Sequence, residues 1–215
     1  MKFGIFGDIN GNLEALEAVL EDMAVKDVIK PVCTGDIVGK YANPRECLEI
    51  VRALGALTVK GNHDERASEI GEAGRSRELT EVQRAFLHAL PLERVVNSFT
   101  VVHSTLDPAK RWGYVFAAPE AESSFAHQIT DICFFGHTRV PHVFIRDTEV
   151  HSFFYKKIDL KPEKKYFINV GSVGEPRDDD WRAAYAIYDS DAKTVELRRL
   201  PFDIAKARAK AGGEA

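Results

Sequence analysis

Cysteine is scarce in this chain of 215 residues: Cys33, Cys47 and Cys133 stand far apart, with no Cys-x-x-Cys pair among them. An odd number of scattered thiols supports neither a disulfide framework nor a zinc knuckle, so the three read as core-filling side chains. Basic charge is not in excess either, with 29 Lys and Arg against 33 Asp and Glu and a formal net charge of -4. Nucleic-acid binding driven by phosphate neutralisation needs a broad basic face, and this balance argues against one. No apolar run approaches the roughly 20 residues of a membrane span. The stretch MKFGIFGDIN lacks the basic and long apolar regions of a signal peptide, which sets the expectation of a cytoplasmic protein with no membrane partner. Internal repeats, low-complexity stretches and linkers are missing too. With 45% hydrophobic residues, the length is enough for one compact domain over residues 1–215 with one site to look for.

What is present is alternation. Strand Lys2 to Gly7 precedes a helix from Leu13 to Ala24, where Leu13, Leu16, Val19, Leu20 and Met23 form one apolar stripe. Strand Val28 to Thr34 leads through Asn43-Pro44 to helix Arg45 to Leu54, and Ala56 to Val59 gives a third strand. This βαβαβ order implies parallel strands and right-handed crossovers. After an amphipathic helix over Leu79 to Leu90 the chain turns to strands: Phe99 to His103, Asp131 to Phe135, His142 to Arg146, Val150 to Tyr155, Tyr166 to Val170, Ala183 to Asp189 and Thr194 to Leu200. These are expected to pair largely antiparallel. Two face-to-face sheets with helices outside reconcile the halves of this α/β chain, and Asp203 to Ala215 reads as a short helix that frays.

Polar clusters recur at the C-terminal ends of the apolar strands: Gly7-Asp8-Ile9-Asn10, Gly35-Asp36, Gly61-Asn62-His63-Asp64, His103-Ser104 and Gly136-His137-Thr138-Arg139. In open α/β sheets these ends form the crevice where ligands bind. Each residue alone has an ordinary reading, Asp8 and Asp36 as caps, His103 and His137 as hydrogen-bonded core histidines. Together they make a mixed O/N donor set of carboxylates, imidazoles and an amide, suited to a divalent ion such as Mn, Fe or Zn and not to a thiolate-bound one. His142, His151, His88 and His127 have no partner motif and read as structural or surface residues, Tyr41, Trp112 and Trp181 as packing residues, and the lysines around Pro162 as a solvated turn.

In this combination the chain resembles the calcineurin-like metallophosphoesterases, in particular their small bacterial and archaeal phosphodiesterase branch, along nearly its whole length. Gly35-Asp36-Ile37-Val38-Gly39, Ala42-Asn43-Pro44 and the segment from Asn169 to Arg177 share in the likeness. The resemblance implies a four-layer αββα sandwich and a hydrolase of a small phosphorylated substrate, a phosphodiester or nucleotide-like molecule, attacked by metal-activated hydroxide. It makes Asp36 a bridging carboxylate, Asn62, His103 and His137 ligands of the second metal, and Asp8 and Asn10 ligands of the first. His63 then stands beside the phosphoryl group to stabilise charge or protonate the leaving oxygen, with Asp64 orienting its ring.

The first metal position departs from the family pattern. Asn10 and Arg139 stand where the family has histidines; an amide oxygen is a weaker donor than imidazole, and a guanidinium has no lone pair to give. Arg139 is therefore expected beside Asp8, with one metal held tightly. The alternative from another class is a weak or silent scaffold, or a nucleotide-binding protein, that keeps the fold.

Overall fold

The computed structural model describes residues 1–69, 79–108 and 111–212. It opens with β1 (Lys2–Phe6), α1 (Leu13–Val25), β2 (Lys30–Cys33), α2 (Pro44–Ala53) and β3 (Leu57–Thr58), and both strand pairs are parallel as the alternation requires. Local chemistry starts each helix. The Asn12 side chain accepts from the Ala15 N–H to cap α1, and α2 begins on Pro44, whose fixed φ and missing N–H suit a first turn.

The chain continues through α3 (Asn62–Ser68), α4 (Glu81–Ala89), β4 (Glu93–Val96), β5 (Phe99–Val102), α5 (Ala118–His127), β6 (Ile132–Phe135), β7 (His142–Arg146) and β8 (Val150–Phe153). It ends with β9 (Lys157–Asp159), β10 (Lys165–Asn169), β11 (Ala183–Asp189), β12 (Thr194–Leu200) and α6 (Ile204–Lys210). Two six-stranded sheets result, ordered β3-β2-β1-β11-β12-β9 and β4-β5-β6-β10-β7-β8.

The antiparallel expectation for the second half needs correction at the centre of the second sheet, where β5, β6 and β10 run parallel. A parallel neighbour needs a crossover, and α5 supplies the one between β5 and β6. Strands β4 and β9 and helix α3 also went unread. Each is short, and β9 lies inside the lysine-rich stretch taken as a turn, where only Ile158 is buried.

Period-two alternation explains the layering. Phe3 and Ile5 of β1 face Phe134 and Ile168 of the other sheet across the central core, while Phe6 faces the α1 and α2 side with Leu16, Val19 and Leu48. On β6, Ile132 and Phe134 enter the central core, whereas Cys133 and Phe135 pack toward α5 with Phe125 and Phe167. Strands buried on both faces carry continuous apolar sequences for this reason. Truncating Phe134, which is fully buried, is expected to cost about 3–5 kcal/mol. The three cysteines are all buried and free. Helix α6 is tied to α1 by Lys206 and Lys210, both paired with Glu14, and residues 213–215 of the expected tail lie outside the described residues. Among the described residues no helix is long and apolar enough to cross a membrane.

Candidate metal centre

The loops after β1, β2, β3, β5 and β6 meet at one end of the sandwich, and the expected residues arrive there together. Asp8, Asn10, Asp36, His137 and Arg139 all hold positive φ, between 49° and 65°. Asp, Asn and His tolerate this left-handed conformation better than most residues, so the residue types that carry donors also let the chain turn sharply at the strand ends. Two glycines make room for the carboxylates. A Cβ at Gly136 would lie 2.3 Å from Asp8 Oδ2, and one at Gly61 would lie 2.1 Å from Asp36 Oδ1.

On one side of the cleft, lone pairs converge. The Nδ1 of His103 is 2.8 Å from the Thr34 carbonyl oxygen, which takes that ring's N–H and leaves Nε2 as an acceptor in the neutral ring. His137 is set the same way through its other nitrogen, with Nε2 3.0 Å from the Trp112 carbonyl oxygen and Nδ1 turned inward. His103 Nε2 then lies 3.2 Å from Asn62 Oδ1, 3.3 Å from Asp36 Oδ2 and 3.2 Å from His137 Nδ1. Asp36 Oδ2 is buried with no aligned hydrogen-bond donor, while Oδ1 accepts from the His63 N–H at 2.8 Å.

A tetrahedral ion with bonds of about 2.0–2.2 Å holds its donors about 3.3–3.6 Å apart, close to the 3.2 to 3.3 Å that separates His103 Nε2 from the other three atoms. One atom from each of Asp36, His103 and His137 lies within 4.8 Å of the others. Electrostatics of the metal-free centre tell the same story. Burial works against charge on His103, but Asp36 beside it overrides that and raises the imidazole to about 9, while burial and the neighbouring His103 push His137 down to about 4. Asp36 is held well below the usual carboxylate range by His103 and His63 against the opposing effect of burial. The pocket calls for positive charge.

The other side carries its own. Arg139, whose side chain is 5% exposed, bonds Glu175 through Nη1, lies 3.2 Å from Asn10 Oδ1 through Nη2 and 3.4 Å from Asp8 Oδ1 through Nε. The Nε contact is at ion-pair distance without hydrogen-bond alignment, leaving Asp8 Oδ1 unsatisfied. Asp8 Oδ2 accepts from the His137 N–H at 2.9 Å. Burial raises the Asp8 carboxyl to about 6, with Asp36 adding to the rise and His103 and Arg139 opposing it.

His63 stands between the two sides at the mouth, 31% exposed, with Nε2 3.4 Å from Arg139 Nη2 and 4.0 Å from Asp36 Oδ2. Its expected partner is elsewhere, which corrects the reading of Asp64 as the residue that orients the ring. Asp64 is fully buried and accepts from the backbone N–H groups of Asp36, Ile37, Val38 and Gly61 at 2.8 to 3.2 Å. It therefore pins the Asp36 loop to the start of α3. Its carboxyl is raised to about 7, chiefly by burial and then by the Asp36 charge.

Sequence reasoning placed no role on three further contributors. Glu175 anchors Arg139 and is itself paired with Lys40 at 3.0 Å. Asn169 donates to the Gly136 carbonyl at 2.6 Å and to Thr138 Oγ1 at 2.9 Å, fixing the loop that carries His137 and Arg139. Tyr114 stacks on the His137 ring with centroids 4.3 Å apart. The first two sit in the Asn169–Arg177 segment already singled out, but Tyr114 carries no motif. Trp112 contributes its backbone carbonyl to His137 and its indole N–H to Glu65, while Tyr41 is buried and Trp181 packs against Phe202.

Two sheets between helical layers, with a carboxylate, an amide and two imidazoles gathered at their strand ends, place a candidate metal-binding group on an αββα sandwich. The chain belongs to the calcineurin-like phosphoesterase superfamily, whose domain model matches residues 1–193. It is 35% identical over 223 residues to an uncharacterized protein of Methanocaldococcus jannaschii, covering 96% of this chain and 90% of that one. A metallophosphoesterase from Sphaerobacter thermophilus superposes with a TM-score of 0.88 at 33% identity, over 99% of this chain and 94% of that one. A hypothetical protein from Pyrococcus horikoshii shares the fold at 17% identity, with a TM-score of 0.78 over 99% of this chain and 93% of that one.

Proposed function

We propose that this phosphoesterase-family chain is a metal-dependent hydrolase of a small phosphorylated substrate, a phosphodiester or nucleotide-like molecule, working with one tightly held divalent ion. The convergence of Asp36 Oδ2, Asn62 Oδ1, His103 Nε2 and His137 Nδ1 carries the reading, because two backbone carbonyls fix both imidazoles with their lone pairs inward. Structural histidines have no need of that arrangement. Mn, Fe and Zn suit the mixed O/N donors. A bound divalent ion supplies Lewis acidity at the phosphoryl oxygens and acidifies water near neutral pH.

The chain's own residues do the rest. Arg139 replaces the other cation: its guanidinium neutralises Asp8 and Glu175 and, with Nη2 3.4 Å from His63 Nε2 at the mouth, adds the positive charge that attracts a phosphate oxygen. His63, at the mouth and off the donor set, stabilises charge on the phosphoryl group or gives a proton to the leaving oxygen. Asn10 fills volume and accepts from Arg139. Asp64 positions Asp36 through the backbone.

Metal analysis of protein purified without chelator, followed by turnover of bis(4-nitrophenyl) phosphate with added Mn, tests this. The expected result is one ion per chain and metal-dependent cleavage. Absence of cleavage with the ion bound would support the alternative reading, a silent scaffold or nucleotide-binding protein that keeps the fold, which Arg139 favours because a guanidinium in place of a second cation cannot activate water.

A further inference from the structure

Residues 113–116 form an irregular segment between Trp112 and α5. Val115, 3% exposed, is anchored in the core under α5. Alternation sends its two neighbours the other way, and both are large aromatics left in water: Tyr114 is 47% exposed and Phe116 58%. Their rings are parallel within 4°, with centroids 5.6 Å apart, and Tyr114 stacks in turn on the metal-centre ring of His137. A ladder of flat faces thus runs from the candidate metal to solvent.

The ladder divides two clefts. One, of about 300 Å³, is lined by Asn62, Glu65, Arg66, Trp112, Tyr114 and His137 and opens onto the donor set. The other, of about 110 Å³, is lined by Val115, Phe116, Thr138, Val140, His142 and Phe154. Phe154 is 72% exposed, and the His142 ring packs edge-on to it at 4.9 Å. The buried Nε2 of His142 has no hydrogen-bond partner. The exposed faces of Phe116 and Phe154 suit a planar ring that can stack on them better than a flexible hydrocarbon chain.

We propose that Tyr114, Phe116 and His142 form a subsite for the organic group of the substrate, and that this group is a nucleobase. The proposal rests on the phosphoesterase reading and narrows its substrate class. Tyr114 and Phe116 are specificity-determining residues: they hold the base while the phosphate lies toward Asp36 and Arg139. Stacking of one base on aromatic side chains is expected to strengthen binding about tenfold or more.

The test compares adenosine 5′-phosphate with ribose 5-phosphate by calorimetry on the full chain with Mn added. The nucleotide should bind at least about tenfold more tightly, and Phe116→Ala and Tyr114→Leu should each bring the two ligands much closer, while Phe116→Trp keeps the advantage. Circular dichroism checks that the variants are folded; both side chains are half in water, so little change is expected. Equal affinities in the unmodified protein, binding of neither ligand, or an advantage unchanged by both truncations would overturn the subsite. A dimer that dissociates in Phe116→Asp would overturn it as well, by assigning the rings to a contact between copies. Turnover of bis(4-nitrophenyl) phosphate separates the two readings. Cleavage without nucleotide preference sinks the subsite alone, and preference without any cleavage sinks the hydrolase alone.

Discussion

On one side of the cleft Asp36, Asn62, His103 and His137 present lone pairs to a common point; on the other, Asp8, Asn10 and Glu175 surround a guanidinium. Both sides are built by strand-end loops in left-handed turns, and both bury a carboxylate completely. They differ in where the balancing charge comes from. Beside Asp36 it must be bound, as a proton on His103 or as a cation in its place. Beside Asp8 it is covalently part of the chain. Two adjacent buried carboxylates need compensation, and a site can keep one exchangeable cation while making the other permanent.

The most damaging way to break this comparison is on the exchangeable side. His103→Ala should abolish tight metal binding and lower turnover on the order of 10³-fold, because several kcal/mol of charge stabilisation depend on the ion. Metal content and rate measured on one preparation check it, and retention of full metal would remove His103 from the ligand set.

At the boundary between the sides, His63→Ala should lower turnover about 10²-fold with metal content unchanged. Asp64→Ala should act differently. It strips four backbone N–H groups of their acceptor and is expected to cost about 3 kcal/mol or more of stability, with weaker metal binding because Asp36 loses its support. If Asp64→Ala instead matched His63→Ala in rate and left the melting temperature unchanged, orientation of the ring by Asp64 would have to be restored.

The permanent side is probed by gain. Asn10→His combined with Arg139→His should raise metal content from one ion to two and increase phosphodiesterase activity by roughly tenfold, about the effect of 1.4 kcal/mol on the barrier. Each single change should do much less, since one poor ligand or one repelling guanidinium remains. Two full-occupancy ions in the unmodified protein would falsify the asymmetry.

Far from both sides, Asp22 gives the smallest effect and serves as a control. Burial pushes its carboxyl up, but hydrogen bonds from Arg198 and Tyr185 outweigh this and hold it below its ordinary value. A folded value below the unfolded one contributes stability above the unfolded value, near 3.9, and loses it as pH falls through the folded value. The melting-temperature gap between the unmodified protein and Asp22→Asn should therefore be largest above about pH 5 and close on acidification, with metal content unaffected throughout.

The sequence by itself determined the alternating βαβαβ start, the longer strands of the second half and the five donor clusters at strand ends, because periodicity and glycine-flanked polar residues are local properties. Asp36, Asn62, His103 and His137 were legible as candidates on those grounds, and Arg139 as a non-ligand from its protonation alone. Tertiary structure decided what those clusters do to one another. Asp64 follows His63 in the chain, yet its carboxylate reaches back to the backbone of a different loop, a preference set by the buried N–H groups of Asp36, Ile37 and Val38, which only folding brings near. The parallel pairing of β5, β6 and β10 and the carbonyls that fix both imidazoles likewise depend on segments far apart in sequence. Tyr114 and Phe116 were invisible for the same reason: an exposed aromatic gains meaning only from the ring it stacks on, and His137 reaches Tyr114 through the fold, not along the chain.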